Sequence, residues 1–405
     1  MMEHSEDLGH PDLVKIIQNR ILNQGRITFA EFMEMALYTP DLGYYTSGGE
    51  KIGLEGDYYT SADLHPLFGE MMGRQLAQIA EMPACWSGGP AWAENVPLLI
   101  LEMGAGKGIL CQDILNYVRK AHPQFYQHLT YWIIEKSPNM IQKQKERLLP
   151  YIQDDKVKWA EGLDQPAFSK GIVGIVLSNE LLDSFPVHRL VKKNGALKEI
   201  YVTLKSGRFQ EVLDQPSSPD LPNYFEKLGV VLEEGQQAEV NLRALDWMKQ
   251  MGRLLSQGVI ITVDYGYPAA ELYSPRRKRG TFLCYYKHRV SEDPYIRVGR
   301  QDMTAHADFT SLALAGREVG LEVAGFTTQE YFLMGLGIAQ EMEKRLQQYE
   351  DLQAREKELV AMKNLIAPDG LGRVFKILIQ HKRLNGLKLD GLAYRPFSPE
   401  VLFSL

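Results

Sequence analysis

Glu102, Gly104, Ala105, Gly106 and Gly108 lie in Leu98-Leu-Ile-Leu-Glu-Met-Gly-Ala-Gly-Lys-Gly108, an apolar run that meets an acidic residue and then three alternate glycines. Such a run reads as a buried strand entering a turn, with a helix beginning near Ile109. Glycine admits positive φ and lets a ligand reach main-chain N–H groups with no Cβ in the way. A dinucleotide fingerprint spaces its glycines G-x-G-x-x-G to seat a pyrophosphate on a helix N-terminus. Here the spacing is E-x-G-x-G-x-G, which suits a ligand without phosphate. Its positively charged amino-acid end could be held by Glu102 directly or through water.

Glu135 ends the next apolar run, at the place where an acidic side chain in this topology accepts ribose hydroxyls. A surface charge capping the helix at Pro138 is the plainer account of the same residue. Gly162 and Leu163, after Val157 to Trp159, stand where adenine contacts are expected. A third run ends in Ser178-Asn179-Glu180-Leu181-Leu182-Asp183. Side chains at strand carboxyl ends line the crevice of an open α/β sheet, so Asn179, Glu180 and Asp183 are candidates for the reacting centre. The competing account makes Ser178 or Asn179 a helix N-cap with Glu180 and Asp183 in its first turn. Asp264 ends a fourth run and either lines the cleft or holds a turn. His306 with Asp308 lacks enough neighbouring ligands for a metal, so a capping or hydrogen-bonded role is expected and no metal is assigned.

Elements must bring these groups together. Leu98–Met103, Tyr131–Glu135, Ile172–Leu177 and Val259–Asp264 are short apolar runs of the kind a parallel sheet covered on both faces needs, and a doubly wound α/β domain follows. Ahead of them, Leu13, Ile16, Ile17 and Ile21 keep helix spacing. Thr28 and Glu31 form a capping-box pattern, so two short helices precede any strand. A glycine- and tyrosine-rich loop runs from Pro40 to Thr60. A helix over 66–79 and a turn-rich connector over 83–97 come next. Arg189–Lys192, Glu199–Leu204 and Arg208–Leu213 alternate around Asn194-Gly195 and Ser206-Gly207, which reads as inserted antiparallel hairpins followed by a helix over 242–256. Beyond Asp264 the expectation is a helix over 309–319, a strand over 321–326, a charged helix over 338–362 and a last strand over 374–380. The expected organisation is thus an N-terminal helical and aromatic-loop segment over 1–90, the first part of the α/β core over 91–185, the insertion over 186–256, and the rest of the core, with a long inserted helix, over 257–405.

The 405 residues are 45% hydrophobic and 24% charged, as in ordinary folded proteins. A net charge of −6 lacks the basic footprint of a nucleic-acid binder. The densest basic run, Arg276-Arg277-Lys278-Arg279, beside Pro275 and Gly280, reads as a solvated loop that could meet an acidic substrate segment. Three widely spaced cysteines, Cys85, Cys111 and Cys284, indicate neither a disulfide framework nor a zinc site. The acidic N-terminus lacks the marks of a transit or signal peptide, and no apolar run approaches ~20 residues, so a cytosolic protein without membrane insertion is expected.

Eight motifs in order carry a resemblance. They are Leu42-Gly-Tyr-Tyr45, Gly56-Asp57-Tyr58-Tyr59-Thr60, Pro66-Leu-Phe-Gly-Glu70, Glu102-Met-Gly-Ala-Gly-Lys-Gly108, Asn179-Glu-Leu-Leu-Asp183, Asp264-Tyr-Gly-Tyr267, Gly280-Thr281 and Thr304-Ala-His-Ala-Asp-Phe309. Together they resemble the MidA-like family of class I S-adenosylmethionine-dependent methyltransferases. Ser61-Ala62-Asp63 departs from the usual Ala-Pro-Glu, and Ser184 from alanine. The resemblance implies a Rossmann-like open sheet and S-adenosyl-L-methionine at Gly104, Gly106, Gly108 and Glu135. It places Asp57, Thr60, Asn179, Glu180 and Asp183 at the donor or acceptor. Mitochondrial relatives imply an arginine of a respiratory complex I subunit as acceptor. The expected partner is therefore a protein substrate, with a homodimer admitted. Two other readings stand beside it: an assembly factor that uses the cofactor structurally, and a small-molecule methyltransferase.

Overall fold

The computed structural model describes residues 7–48, 61–82, 86, 98–394, 397 and 399–403. Helix Pro11–Gln24 buries Leu13, Val14, Ile17 and Ile21 along one face. Helix Phe29–Tyr38 starts at Thr28, whose Oγ1 accepts the Glu31 N–H at 3.0 Å. The capping box stays half made, because the Glu31 carboxylate turns to Arg20 Nε at 2.7 Å. Between the two helices Ile27–Thr28 forms a two-residue strand, β1, so the expectation that no strand comes between the helices is corrected. These β-branched residues hydrogen-bond antiparallel to Val202 and Tyr201, which satisfies backbone groups that a loop would leave to water.

The central strands are β2 (Leu98–Met103), β3 (Leu129–Ile134), β4 (Val157–Ala160) and β5 (Ile172–Asn179). The insertion contributes β6 (His188–Lys193), β7 (Ala196–Lys205), β8 (Arg208–Asp214) and β9 (Gln237–Val240). Then come β10 (Leu255–Tyr267), β11 (Leu283–Tyr286), β12 (Arg289–Ser291), β13 (Asp302–Thr304), β14 (Ala307–Asp308), β15 (Glu322–Thr328) and β16 (Phe375–Lys382). The central sheet runs β15-β16-β10-β5-β2-β3-β4, with β14 added beside β10. Among the described strands of this sheet, β16 alone runs against the common direction, antiparallel to both β10 and β15. The chain order diverges on either side of β2 and β5, which makes their carboxyl ends the topological switch point where a ligand crevice forms.

Alternation along the strands explains how the sheet is covered on both faces. Ile175, Leu177, Val259, Ile261 and Val263 pack into one core, while Val176 and Ile260 point into the other. Helices Leu67–Glu81 and Ile109–Ala121 cover the first face, and helices Leu242–Leu254 and Phe309–Arg317 the second. The insertion is an antiparallel sheet in the order β1-β7-β6-β9, with β8 on β7.

Two expectations are corrected beyond Asp264. The charged helix over 338–362 is two helices, Ile338–Leu346 and Leu352–Asn364. Asp351 ends the continuity, because its carboxylate accepts the N–H groups of Gln353 and Ala354 and starts a new helix. A three-stranded sheet, β12-β11-β13, occupies a stretch where no strand was foreseen. Its strands are only three or four residues long, too short to show a period.

Candidate active site

The glycine loop follows β2 and leads into helix Ile109–Ala121. Gly104 has φ +78°, and a Cβ there would lie 2.9 Å from Leu181 Cδ1. The loop therefore packs directly on the segment that follows β5, and Ala105 is buried beside it. Glu102 is 2% exposed and accepts a hydrogen bond from the Tyr131 hydroxyl at 2.8 Å. Burial pushes its carboxyl up to about 7, with the Tyr131 bond opposing.

Glu135 stands just past β3. Its Oε1 accepts from the N–H groups of Lys136 and Ser137, each at 2.9 Å, and burial raises its pKa against those bonds. Gln144 ties the region together: its amide donates to the Gly106 carbonyl at 2.8 Å and to Glu135 Oε2 at 3.4 Å, and it accepts from Trp159 Nε1 at 2.8 Å. It is the only buried residue of helix Pro138–Arg147, and that polar residue on an otherwise charged helix was passed over in the sequence. Gly162 faces open space, and Leu163 packs partly buried next to it.

These groups fit S-adenosylmethionine. Glu102 is a desolvated carboxyl whose hydrogen-bond donor is the neutral Tyr131 hydroxyl, so it is suited to an ammonium. Glu135 is held at a strand end with Oε2 only weakly engaged, and the Gly162 edge is free for a base. When bound there, the cofactor supplies a methyl group activated by a sulfonium.

On the other side of the switch point, Glu180 adopts φ +51°, and its N–H donates to the Val263 carbonyl at 2.9 Å. Its Oε1 accepts from the Ser61 N–H at 3.1 Å and from Asn179 Nδ2 at 3.2 Å. No helix follows Asn179, so the N-cap account of this segment is set aside. Asp264 is fully buried on β10; its Oδ2 accepts from Leu181 and Leu182 N–H groups at 3.2 and 2.8 Å, and its Oδ1 from Tyr265 N–H at 2.8 Å. That makes Asp264 the post that holds the Glu180–Asp183 turn. Asp183 is 7% exposed, and its carbonyl accepts the Ala305 N–H at 2.9 Å. Asp302, which sequence reasoning missed, joins the group from β13. It accepts from the Tyr45 hydroxyl at 2.7 Å, and no local pattern announced it.

Burial raises Glu180 and Asp183 well above ordinary carboxylates. Asp264 adds repulsion to both, and Asp302 adds to Asp183. Burial likewise holds Asp264 up at about 7. Among the described residues, no lysine or arginine forms an ion pair with Glu180, Asp183 or Asp264. The result is a desolvated acidic cluster beside the glycine loop, without a cationic partner among the described residues. Asp57 and Thr60 lie outside the described residues.

Gly280 and Thr281 serve a different end. At φ +71° Gly280 passes against Glu239, whose Oε2 accepts the Thr281 N–H at 2.7 Å. Asp308 caps helix Phe309–Arg317 through Thr310 and Ser311, as expected of that pair. His306 is pushed down to about 4 by burial and by Arg277 and Lys376. Among the described residues no cluster of three or more His, Cys, Asp or Glu could hold a metal, and no helix is long and apolar enough to cross a membrane.

Known proteins bear on this site. A Burkholderia thailandensis protein described as a "likely methyl transferase", solved with S-adenosyl-homocysteine bound, superposes with a TM-score of 0.83 at 26% identity, covering 96% of this chain and 98% of its own. The mitochondrial protein arginine methyltransferase NDUFAF7 of Bos taurus is 25% identical over 91% of this chain and 83% of its own length. The NDUFAF7 homolog of Drosophila melanogaster is 27% identical over 74% of this chain and 69% of its own. The model of a family described as "Putative S-adenosyl-L-methionine-dependent methyltransferase" matches residues 73–327, from the helix before the glycine loop to β15. With that span covering both the glycine loop and the acidic cluster, the chain belongs to this family of S-adenosylmethionine-dependent methyltransferases.

Proposed function

We propose that the acceptor is an arginine side chain of a protein partner, a complex I subunit-like substrate. The observation that carries this reading is the acidic cluster: Glu180 and Asp183 are desolvated carboxyls without a cationic partner among the described residues, next to the glycine loop. A guanidinium is planar, permanently charged and matched to carboxylates, so it would restore the ionised form of these groups on entering. The relatives named protein arginine methyltransferase support the same acceptor.

In the reaction a guanidinium nitrogen forms the new N–C bond as the S–C bond of the sulfonium breaks, and the nitrogen's proton passes to the Glu180 carboxylate. Asp183 holds the other guanidinium edge. Asp264 fixes the turn that carries both, so alignment and exclusion of water are the protein's main contributions. Glu180→Gln tests the assignment by radiolabelled methyl transfer to protein substrate. Loss of a proton acceptor lowers the rate about 100-fold or more, with S-adenosylmethionine affinity retained. Methylation at the wild-type rate would remove Glu180 from the chemistry.

A further inference from the structure

The acidic cluster is one end of a dipolar arrangement of side chains. Tyr265, next in chain to Asp264, has its hydroxyl in the field of Glu180 and Asp183. Its ring lies nearly parallel to that of His306, 6.2 Å between centroids at 13°, and His306 in turn lies 5.5 Å from Tyr267. The Tyr267 ring carries two cations: the Arg277 guanidinium at 4.2 Å and the Lys376 ammonium at 4.8 Å. An aromatic file therefore runs from an anionic cluster to a cationic one.

The cationic end is short of negative charge. Lys376 is 3% exposed, and its ammonium donates to two backbone carbonyls, those of Arg373 and Val374, with no carboxylate of the described residues in hydrogen-bond reach. Arg277 donates to the Glu271 carbonyl at 3.3 Å, while the Glu271 carboxylate stays 3.8 Å away and half exposed. Among the described residues His306 Nδ1, buried between the two ends, has no hydrogen-bond partner. Two cations sharing one distant, solvated carboxylate, beside an unsatisfied imidazole nitrogen, form an arrangement that an incoming anion completes. Burial, with Arg277 adding to it against Glu271, lowers the Lys376 pKa to about 8, which an anion would reverse.

We propose, building on the arginine-acceptor reading, that this end binds a carboxylate side chain flanking the acceptor, so that the enzyme selects arginines with an acidic neighbour. Asp264 and Tyr267 are three strand positions apart, about 10 Å. An extended peptide covers that span in about three residues, which sets the reach of the flanking acid. Of the basic run Arg276–Arg279, Arg277 is the member turned inward over Tyr267, while its three companions are exposed.

The test uses the full chain with S-adenosylhomocysteine and fluorescent arginine-centred peptide libraries. Each library fixes Glu, Ala or Lys at one position within three residues of the arginine. Binding is read by anisotropy and turnover by methyl transfer with S-adenosylmethionine. Glu-flanked libraries should bind about tenfold tighter than Lys-flanked ones, and Arg277→Glu should invert the order, with S-adenosylmethionine titration as the control for folding. Equal binding of the Glu, Ala and Lys libraries, or an order unchanged in Arg277→Glu, overturns the proposal. Arginine methylation without flank preference removes the acidic selector and keeps the acceptor reading. Flank-dependent binding without arginine methylation does the reverse.

Discussion

Acidification from pH 7 to 5.5 should weaken S-adenosylmethionine binding about 16-fold through Glu102. The carboxyl titrates at about 7, so roughly half of the free protein is ionised at pH 7 and about 3% at pH 5.5. If the ionised carboxylate is the form that holds the ligand's ammonium, apparent affinity scales with that fraction. The ligand's own α-amino group stays protonated across this window, since such groups titrate near 7.7–8.0, so the slope reports the protein. The sign is consistent with burial. A carboxyl raised above its unfolded value stabilises the free protein below about pH 4.5, and that contribution, about 3 kcal/mol, is lost as pH rises through 7. A bound ammonium offsets the loss. Calorimetric titration at pH 5.5, 6.2 and 7, in buffers of different ionisation enthalpy, measures both affinity and proton release. Glu102→Gln should flatten the profile. A wild-type affinity constant across the window, or a slope that survives in Glu102→Gln, would refute the reasoning.

Three further outcomes follow from the same geometry. Gly104→Val places a branched side chain at φ +78° against Leu181, so saturable cofactor binding in calorimetry should disappear while circular dichroism stays native. Asp264→Ala leaves three backbone N–H groups, of Leu181, Leu182 and Tyr265, without their acceptor, which should cost about 3–6 kcal/mol in urea unfolding; a loss under 1 kcal/mol would mean the turn is held otherwise. Arg74 joins helix Leu67–Glu81 to the Leu336 carbonyl at 2.6 Å and to Glu341 at 3.2 Å, so Arg74→Ala should lose about 1–3 kcal/mol of stability and leave cofactor affinity as it is, read by denaturation and calorimetry.

The parts of this fold that could be read from residue order are those whose physics is local. Apolar runs such as Leu98–Met103 and Ile172–Asn179 must be buried on both faces, and alternate glycines after Glu102 can only be a turn. Asn194-Gly195 and Ser206-Gly207 mark hairpins because positive φ is needed there, and the strands on either side pair as the alternation indicates. What escaped is what tertiary contact decides. Asp264 could not be told from a cleft residue until Leu181 and Leu182 were seen to donate to it. Asp302 joins the acidic cluster from a three-residue strand, and its partner Tyr45 lies far away in sequence. The break at Asp351 was missed for the opposite reason. Its capping signal is local, but it lies within a charged stretch whose composition suits a helix throughout.

The two-residue strand β1 also sets a timetable for synthesis. Ile27 meets Val202, a partner made about 175 residues later, and Leu13, Ile17, Phe29 and Phe32 share their core with Phe282 and Met303, made later still. At ~5–20 residues per second the ribosome needs roughly 10–35 s to deliver β7, and longer to deliver the rest. For that interval the stripe of Leu13, Ile17, Phe29 and Phe32 lacks the partners that cover it in the finished fold. Slowing translation ahead of residue 200 would lengthen that exposure without altering a single contact of the finished fold.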